Sequence, residues 1–118
     1  MRRRNMSAVK KKSETSEEQL RRMCKNIADS ITNPVDNSEH GEQASVASWM
    51  EGVYDIEWIT HRDKSYKAAR LMVAGGGPTI WVNLQTNTVD GYWWTDKCSH
   101  GFVDNIGLDD YLEDLHAC

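Results

Sequence analysis

The chain has 118 residues, of which 39% are hydrophobic and 27% are charged, and its formal net charge is −4. This length is about one domain, and the sequence has no apolar run long enough for a membrane helix or a signal peptide, so we expect a cytoplasmic protein. Three cysteines are too few and too far apart for a disulfide scaffold, and they fit a reducing compartment.

The charge is unevenly distributed along the chain. The first 12 residues carry six bases and no acid; the bases are Arg2, Arg3, Arg4, Lys10, Lys11 and Lys12. Residues 1–13 also lack apolar periodicity, which predicts a disordered basic tail followed by a single domain over residues 14–118. Without the +6 of the tail, the remaining 18 acids and eight bases carry a formal charge of −10. An acidic surface of this kind attracts basic protein surfaces and repels nucleic acid.

Two helices are predicted before the first long strand. Ser16 and Gln19 have the spacing of a capping box, and the residues that follow form an apolar stripe until Asn33-Pro34, where a helix must end. The stripe consists of Leu20, Met23, Cys24, Ile27 and Ile31, so we interpret Cys24 as a small buried hydrophobe. After a polar loop over residues 35–43, a shorter helix between a Ser45 cap and Gly52 would bury Val46, Trp49 and Met50.

From Val53 the apolar period changes to two, which indicates strands. Four strands are predicted with short connections, over residues 53–61, 66–74, 79–85 and 88–95. Residues 96–101 are predicted to form a loop, and residues 105–116 form an acidic helix with Asp104 near its cap. The predicted fold is therefore α+β: a four-stranded antiparallel meander with two N-terminal helices and one C-terminal helix, in the order ααββββα, with the helices on its apolar side.

Catalytic and metal-binding patterns are poorly matched. The glycines of residues 75–77 lead into a strand, which indicates a turn and not a phosphate-binding loop. Cys98 and His100 lack a third group that would orient them as a nucleophile and its base. Cys98, His100, His116 and Cys118 are the ligand types of a zinc site, but one intervening residue is closer than small zinc modules use. We therefore predict no enzyme and no cofactor, with zinc at these four residues as the alternative.

Aromatic residues are concentrated near the predicted sheet. Trp93 and Trp94 are consecutive on a predicted strand, so one of them must face away from the helices. We predict an outward cluster that binds a protein partner together with acids of the last helix. Its residues are Trp81, Tyr92, Trp94, Asp109, Asp110, Glu113 and Asp114. The alternative is that the aromatic side chains are covered by the N-terminal segment or by a second copy of the chain.

Residues 49–118 carry a resemblance to a group of known proteins. A GGP turn, the short strand Ile-Trp-Val-Asn, the strand Val-Asp-Gly-Tyr-Trp-Trp and a terminal acidic helix resemble small accessory proteins of bacterial plasmids, integrative elements and prophages. Many small acidic proteins of mobile elements inhibit host defence, as anti-CRISPR and anti-restriction proteins do. The resemblance implies a phage or mobile-element protein in a bacterial cytoplasm, which binds a host nucleic-acid-handling enzyme and blocks its basic channel.

Two other functions remain open at this point. The six bases of the tail could bind nucleic acid, with Lys67 and Arg70 as the only further bases near the aromatic cluster. Asp90, Asp96 and the acidic helix oppose that function because they would repel phosphates. A structural module of a phage particle or a conjugation apparatus is the third possibility.

Overall fold

The computed structural model describes residues 14–34, 36–37, 42–43 and 46–118. The predicted basic tail lies outside the described residues. Within the described residues the fold is α+β, with three helices and an antiparallel sheet. In chain order the elements are α1 (Ser16–Thr32), β1 (Asp36–Asn37), β2 (Glu42–Gln43), α2 (Val46–Met50), β3 (Asp55–Thr60), β4 (Tyr66–Ala74), β5 (Thr79–Asn83), β6 (Thr88–Trp93), β7 (Asp96–Gly101) and α3 (Leu108–Ala117).

The main sheet has five strands in the order β3-β4-β5-β6-β7, and every neighbouring pair is antiparallel. The meander was predicted, but its strand number was wrong: Asp96–Gly101, predicted as a loop, forms the edge strand β7. This strand escaped prediction because an edge strand exposed on much of its surface needs no apolar alternation. A second, two-stranded ladder pairs β1 with β2 inside the region predicted as a loop.

The residue that caps helix α1 is Thr15, one position before the predicted cap, Ser16. The side chain of Thr15 accepts a hydrogen bond from the backbone N–H of Glu18 at 3.1 Å, and the Glu18 carboxylate accepts one from the backbone N–H of Thr15 at 3.0 Å. This reciprocal pair is the capping box, so the prediction of Ser16 and Gln19 was wrong. The hydroxyl of Ser16 instead donates to Asp96 at 2.5 Å, which joins the start of α1 to the start of β7.

Both α1 and α3 pack on one face of the sheet. Helix α1 contacts β6 and β7, and α3 contacts β4. The core consists of Leu20, Cys24, Ala28 and Ile31 of α1, Leu108 and Leu112 of α3, and sheet residues that include Leu71, Ile80, Val82 and Val89. The predicted stripe of α1 is confirmed in its main members, and Ala28 replaces the half-buried Met23 and Ile27 as a fully buried position.

The other elements differ from prediction mainly at their ends. Helix α2 spans only five residues, and the three apolar side chains expected in the core, Val46, Trp49 and Met50, are half-buried. Helix α3 begins at Leu108, three residues later than predicted. Asp104 caps it from outside, because its carboxylate accepts from the backbone N–H groups of Gly107, Leu108 and Asp109 at 3.0, 2.8 and 3.0 Å.

Candidate functional site

Apart from Trp81, the predicted contact residues fall on two surfaces at opposite ends of the sheet. One surface, here called the aromatic tip, consists of Tyr92, Trp93 and Trp94 at the β6–β7 turn. The other is the acidic helix α3, which contacts β4 and reaches Tyr66 at the β3–β4 end. Strands of this length span roughly 20 Å, so the two surfaces are separate and do not form the single cluster that we predicted.

Trp94 occupies an unusual position at the aromatic tip. Trp93 pairs with Asp96, so Trp94 and Thr95 form a two-residue connection, and the predicted continuation of the strand through Trp94 was wrong. The backbone of Trp94 has φ 56°, a left-handed conformation that bulky residues rarely adopt and that costs free energy. Its side chain is 84% exposed. A strained backbone that holds a large apolar side chain in solvent is a recurrent feature of binding sites.

Neighbouring groups hold the aromatic tip in place. The rings of Trp93 and Trp94 are stacked, with centroids 5.6 Å apart and planes inclined by 27°. Trp93 is half-buried and packs against the core, so it provides a fixed platform for the exposed ring. A Cβ atom at Gly77 would lie 3.9 Å from Nε1 of Trp93, which shows that the β4–β5 turn reaches the same platform. Tyr92 is 45% exposed and pairs with Lys97 of β7.

Trp81 does not belong to this exposed surface. As predicted for the outward cluster, Trp81 faces away from α1 and α3, and its partners on the neighbouring strands are Met72 and Asp90. Its exposure was predicted wrongly, because only 9% of the residue is accessible. The Arg70 guanidinium carbon lies 4.4 Å from the Trp81 ring centroid, and Arg70 also forms an ion pair with Glu57 at 2.5 Å. The cation therefore covers the ring, an arrangement that favours both groups.

The acids of α3 differ in their surroundings. Oδ1 of Asp109 accepts a hydrogen bond of 2.8 Å from the hydroxyl of Tyr66, so this carboxylate already has a structural partner. All four acids are exposed, and among them only the carboxylate of Asp109 accepts a hydrogen bond from a described side chain. Asp109 and Asp110 lie in the first turn, where a carboxylate complements the helix dipole. Asp110, Glu113 and Asp114 are therefore the part of the predicted acidic surface available to a partner.

An aromatic cluster, absent from the sequence-based prediction, connects α3 to β3 and β4. The ring centroid of His116 lies 5.1 Å from that of Trp58 and 6.0 Å from that of Tyr66. Burial, followed by the hydrogen bond to Asp109, raises the pKa of Tyr66 well above its ordinary value. No local sequence pattern predicts this cluster, because its three residues belong to three separate elements and come into contact only in the folded chain.

The four residues weighed as zinc ligands are not brought together. His116 lies in the cluster with Trp58 and Tyr66, and Cys118 donates to the backbone carbonyl of Asp114 at 3.4 Å. Sγ of Cys98 lies 3.2 Å from Sγ of Cys24, whose burial raises its pKa to about 12. Within the described parts of the chain, no three His, Cys, Asp or Glu residues are grouped so that they could hold a metal ion.

The six bases assigned to the nucleic-acid alternative all lie outside the described residues. Among the helices of the described segments, none has the length and apolar character needed to span a bilayer. No family model matches the chain, and no curated protein or solved structure matches it either.

Proposed function

We propose that this chain is a non-catalytic, protein-binding inhibitor whose target is a host nucleic-acid-handling enzyme, in the manner of anti-CRISPR and anti-restriction proteins. The observation that carries the proposal is Trp94: it is 84% exposed, its backbone is strained and it is stacked on the half-buried Trp93. An exposed tryptophan fixed in one orientation is suited to enter an apolar pocket on another protein.

The aromatic tip has the physical properties of an interface anchor. Interface residues that contribute most to affinity are often tryptophan and tyrosine, and they bind more tightly when little side-chain freedom is lost. Stacking on Trp93 already restricts the Trp94 ring before a partner arrives. Tyr92 adds a second partly exposed ring beside it. We therefore assign the aromatic tip to affinity.

The exposed acids of α3 have a different role in this proposal. Asp110, Glu113 and Asp114 lie on one short helix and carry no ion pair to a described base. Enzymes that handle nucleic acid present basic channels, and opposite charges accelerate association through fields that salt screens over about 10 Å. Because α3 lies away from the aromatic tip, its acids would steer the partner or occupy a neighbouring basic channel while the tip binds.

The test compares variants in an affinity capture from nuclease-treated host lysate, followed by an activity assay of the captured enzyme. The wild type should retain a discrete nucleic-acid-handling enzyme and inhibit it. Trp94→Gly should lose the captured enzyme. The triple variant Asp110→Lys, Glu113→Lys and Asp114→Lys should bind it more slowly and lose the salt dependence of association.

The matched control is Tyr54→Ser. Tyr54 is 74% exposed, but it precedes β3 and therefore lies at the edge of the sheet farthest from β7. The Tyr54→Ser variant should still capture the enzyme. If Trp94→Gly is folded and captures the same enzyme as the wild type, the aromatic tip is not the anchor. If the captured enzyme remains fully active in the complex, the chain is not its inhibitor.

The six bases of the tail support a second candidate, a nucleic-acid-binding accessory protein. Deletion of residues 1–12 separates the two functions. Loss of the captured enzyme on nuclease treatment, together with loss of nucleic-acid affinity in the deletion variant, would favour the accessory protein. Retention of the enzyme and of inhibition in the deletion variant would favour the inhibitor. Self-assembly or incorporation into a particle would instead indicate the structural module.

A further inference from the structure

Cys24 and Cys98 meet across the interface between α1 and the sheet. They are separated by 74 positions in the sequence, yet their Sγ atoms lie 3.2 Å apart. Cys24 is completely buried, Cys98 is half-buried, and both are free thiols. The pair lies outside the aromatic tip and the acidic helix, and the proposed inhibitor function makes no use of it.

Gly91 makes this approach possible. It pairs with Cys98 on the neighbouring strand, directly beneath α1. A Cβ atom at Gly91 would come within 2.5 Å of the Cys24 Sγ atom and 2.9 Å of Cδ1 of Leu20. Real Cβ atoms essentially never approach other atoms so closely. Glycine at this position therefore allows α1 to pack close enough to β6 for the two sulfur atoms to come into contact.

We propose that Cys24 and Cys98 form a redox modification site, at which an intramolecular disulfide clamps α1 to β7. The oxidant is a low-molecular-weight disulfide, for which oxidised glutathione is the probe. A disulfide bond is about 2.05 Å long, so the two sulfurs must move together by roughly 1.1 Å from their present separation. The remaining approach is short, whereas cysteines whose Cα atoms are more than about 7 Å apart would require backbone movement.

The reaction has two exchange steps. The Cys98 thiolate, on the accessible side of the pair, attacks one sulfur of oxidised glutathione; a mixed disulfide forms and one glutathione thiol leaves. Cys24 then attacks the Cys98 sulfur and passes its proton to the departing glutathione sulfur, so that the second glutathione leaves as a thiol. Two protein thiols are oxidised and one glutathione disulfide is reduced to two thiols. Cys24 takes the second role because it is buried and out of reach of the external disulfide.

The clamp changes how α1 opens. In the reduced protein α1 is held by its packing on β6 and β7 and by hydrogen bonds near its two ends, from Ser16 to Asp96 and from Val103 and Asn105 to Thr32. The disulfide would add a covalent link to β7. The disulfide closes a long loop and restricts the unfolded chain, so the melting temperature should rise by on the order of 10 °C or more. Amide exchange in α1 should slow as well.

The experiment uses the full chain with Cys118→Ser, since Cys118 is exposed and would otherwise link two molecules. The protein is equilibrated with oxidised and reduced glutathione at graded ratios, then trapped with an alkylating agent. We expect a mass loss of two hydrogen atoms, a cross-linked peptide pair containing Cys24 and Cys98, and a higher melting temperature that a reductant reverses.

Two further variants keep the proposal falsifiable. With Cys24→Ala the reaction should stop at a single glutathione adduct on Cys98, with no rise in melting temperature. Cys98→Ser should acquire neither the adduct nor the cross-link. The proposal is overturned if both thiols of the Cys118→Ser protein remain alkylated at ratios that fully oxidise Cys118 in the wild type, or if glutathione stays on Cys98 while Cys24 is present. Neither result bears on enzyme capture, so this test is independent of the proposed function.

Discussion

The hydroxyl of Tyr66 donates a 2.8 Å hydrogen bond to Asp109, and this contact links the first residue of β4 to the first turn of α3. It gives one of the four predicted acids of α3 a structural task. A charge-reversal experiment that included Asp109 would therefore change stability and charge together. Restricting the charge reversal to Asp110, Glu113 and Asp114 changes the surface charge and leaves the Tyr66–Asp109 hydrogen bond in place.

Tyr66→Phe should lower the free energy of unfolding by about 1 kcal/mol, because it removes one hydrogen bond to a partly exposed carboxylate while the ring packing is kept. Urea denaturation at neutral pH measures the change. Asp109→Asn retains an acceptor for the hydroxyl but removes the charge from the first turn of α3, so it should also lower stability. Equal stability of Tyr66→Phe and the wild type would show that the contact contributes nothing.

The same residue predicts a dependence on alkaline pH. The pKa of Tyr66 is raised in the folded protein by burial and by the hydrogen bond to Asp109, whereas a tyrosine in the unfolded chain ionises near pH 10. The folded state therefore holds the phenolic proton more tightly, and its contribution to stability is complete below about pH 10 and is lost as the pH rises above that value. The free energy of unfolding, measured from neutral to alkaline pH, should decrease less steeply for Tyr66→Phe than for the wild type.

Trp94→Gly and Trp94→Ala form a matched pair at the aromatic tip. Both remove the stacking on Trp93, but only glycine adopts φ 56° without steric cost. The glycine variant should therefore be more stable than the alanine variant by about 1 kcal/mol in chemical denaturation. If alanine were equally stable, the turn would have relaxed to another conformation, and the strain assigned to Trp94 would not exist.

Gly91→Ala should lower stability by about 1 to 3 kcal/mol, because its Cβ atom would displace Cys24 and Leu20 of α1. Adding Cys24→Ala removes the nearer obstacle, so the double variant should lose less than the sum of the single changes. Gly52→Ala is the control, since a Cβ atom there meets nothing closer than 3.8 Å. Additive losses in the double variant would contradict the packing of Cys24 over Gly91.

Thr15→Ala should cost about 1 kcal/mol because it removes the side-chain half of the capping box. Gln19→Ala, at the partner position of the box predicted from sequence, should stay within about 0.5 kcal/mol of the wild type. Thermal denaturation of the two variants distinguishes the observed cap from the predicted one. If Gln19→Ala lost more stability than Thr15→Ala, the cap of α1 would be Ser16 and not Thr15.

Sequence patterns predicted the parts of the fold in which side chains alternate or recur strongly. The bounds of β4 were correct, and the buried stripe of α1 was correct in its main members, because the helical period is explicit there. Strand β7 was missed because its sequence, Asp-Lys-Cys-Ser-His-Gly, has little apolar content. The cap was misplaced by one residue because Thr15 and Ser16 are both good caps, each with Glu or Gln three positions later.

The candidate site was less accessible to prediction. Strand parity correctly turned Trp81 away from the helices, but parity cannot show that a neighbouring arginine covers the ring. Trp94 was assigned to a strand because Trp94-Thr95 contains none of the glycine or asparagine residues that usually mark a two-residue turn. The aromatic tip is separate from α3 because it lies at the β6–β7 turn. That turn could not be predicted without recognising β7 as a strand.

The packing of the first helix on the last two strands has a consequence for synthesis. Helix α1 is complete by residue 32, but the surface on which it rests is not finished until residue 101, at the end of β7. As the chain emerges from the ribosome, Leu20, Cys24 and Ile31 therefore have no native partner surface while the sheet is being made. Native packing of α1 must therefore wait for β7, the last strand to be made, although α1 is the first element of the described fold to be synthesised.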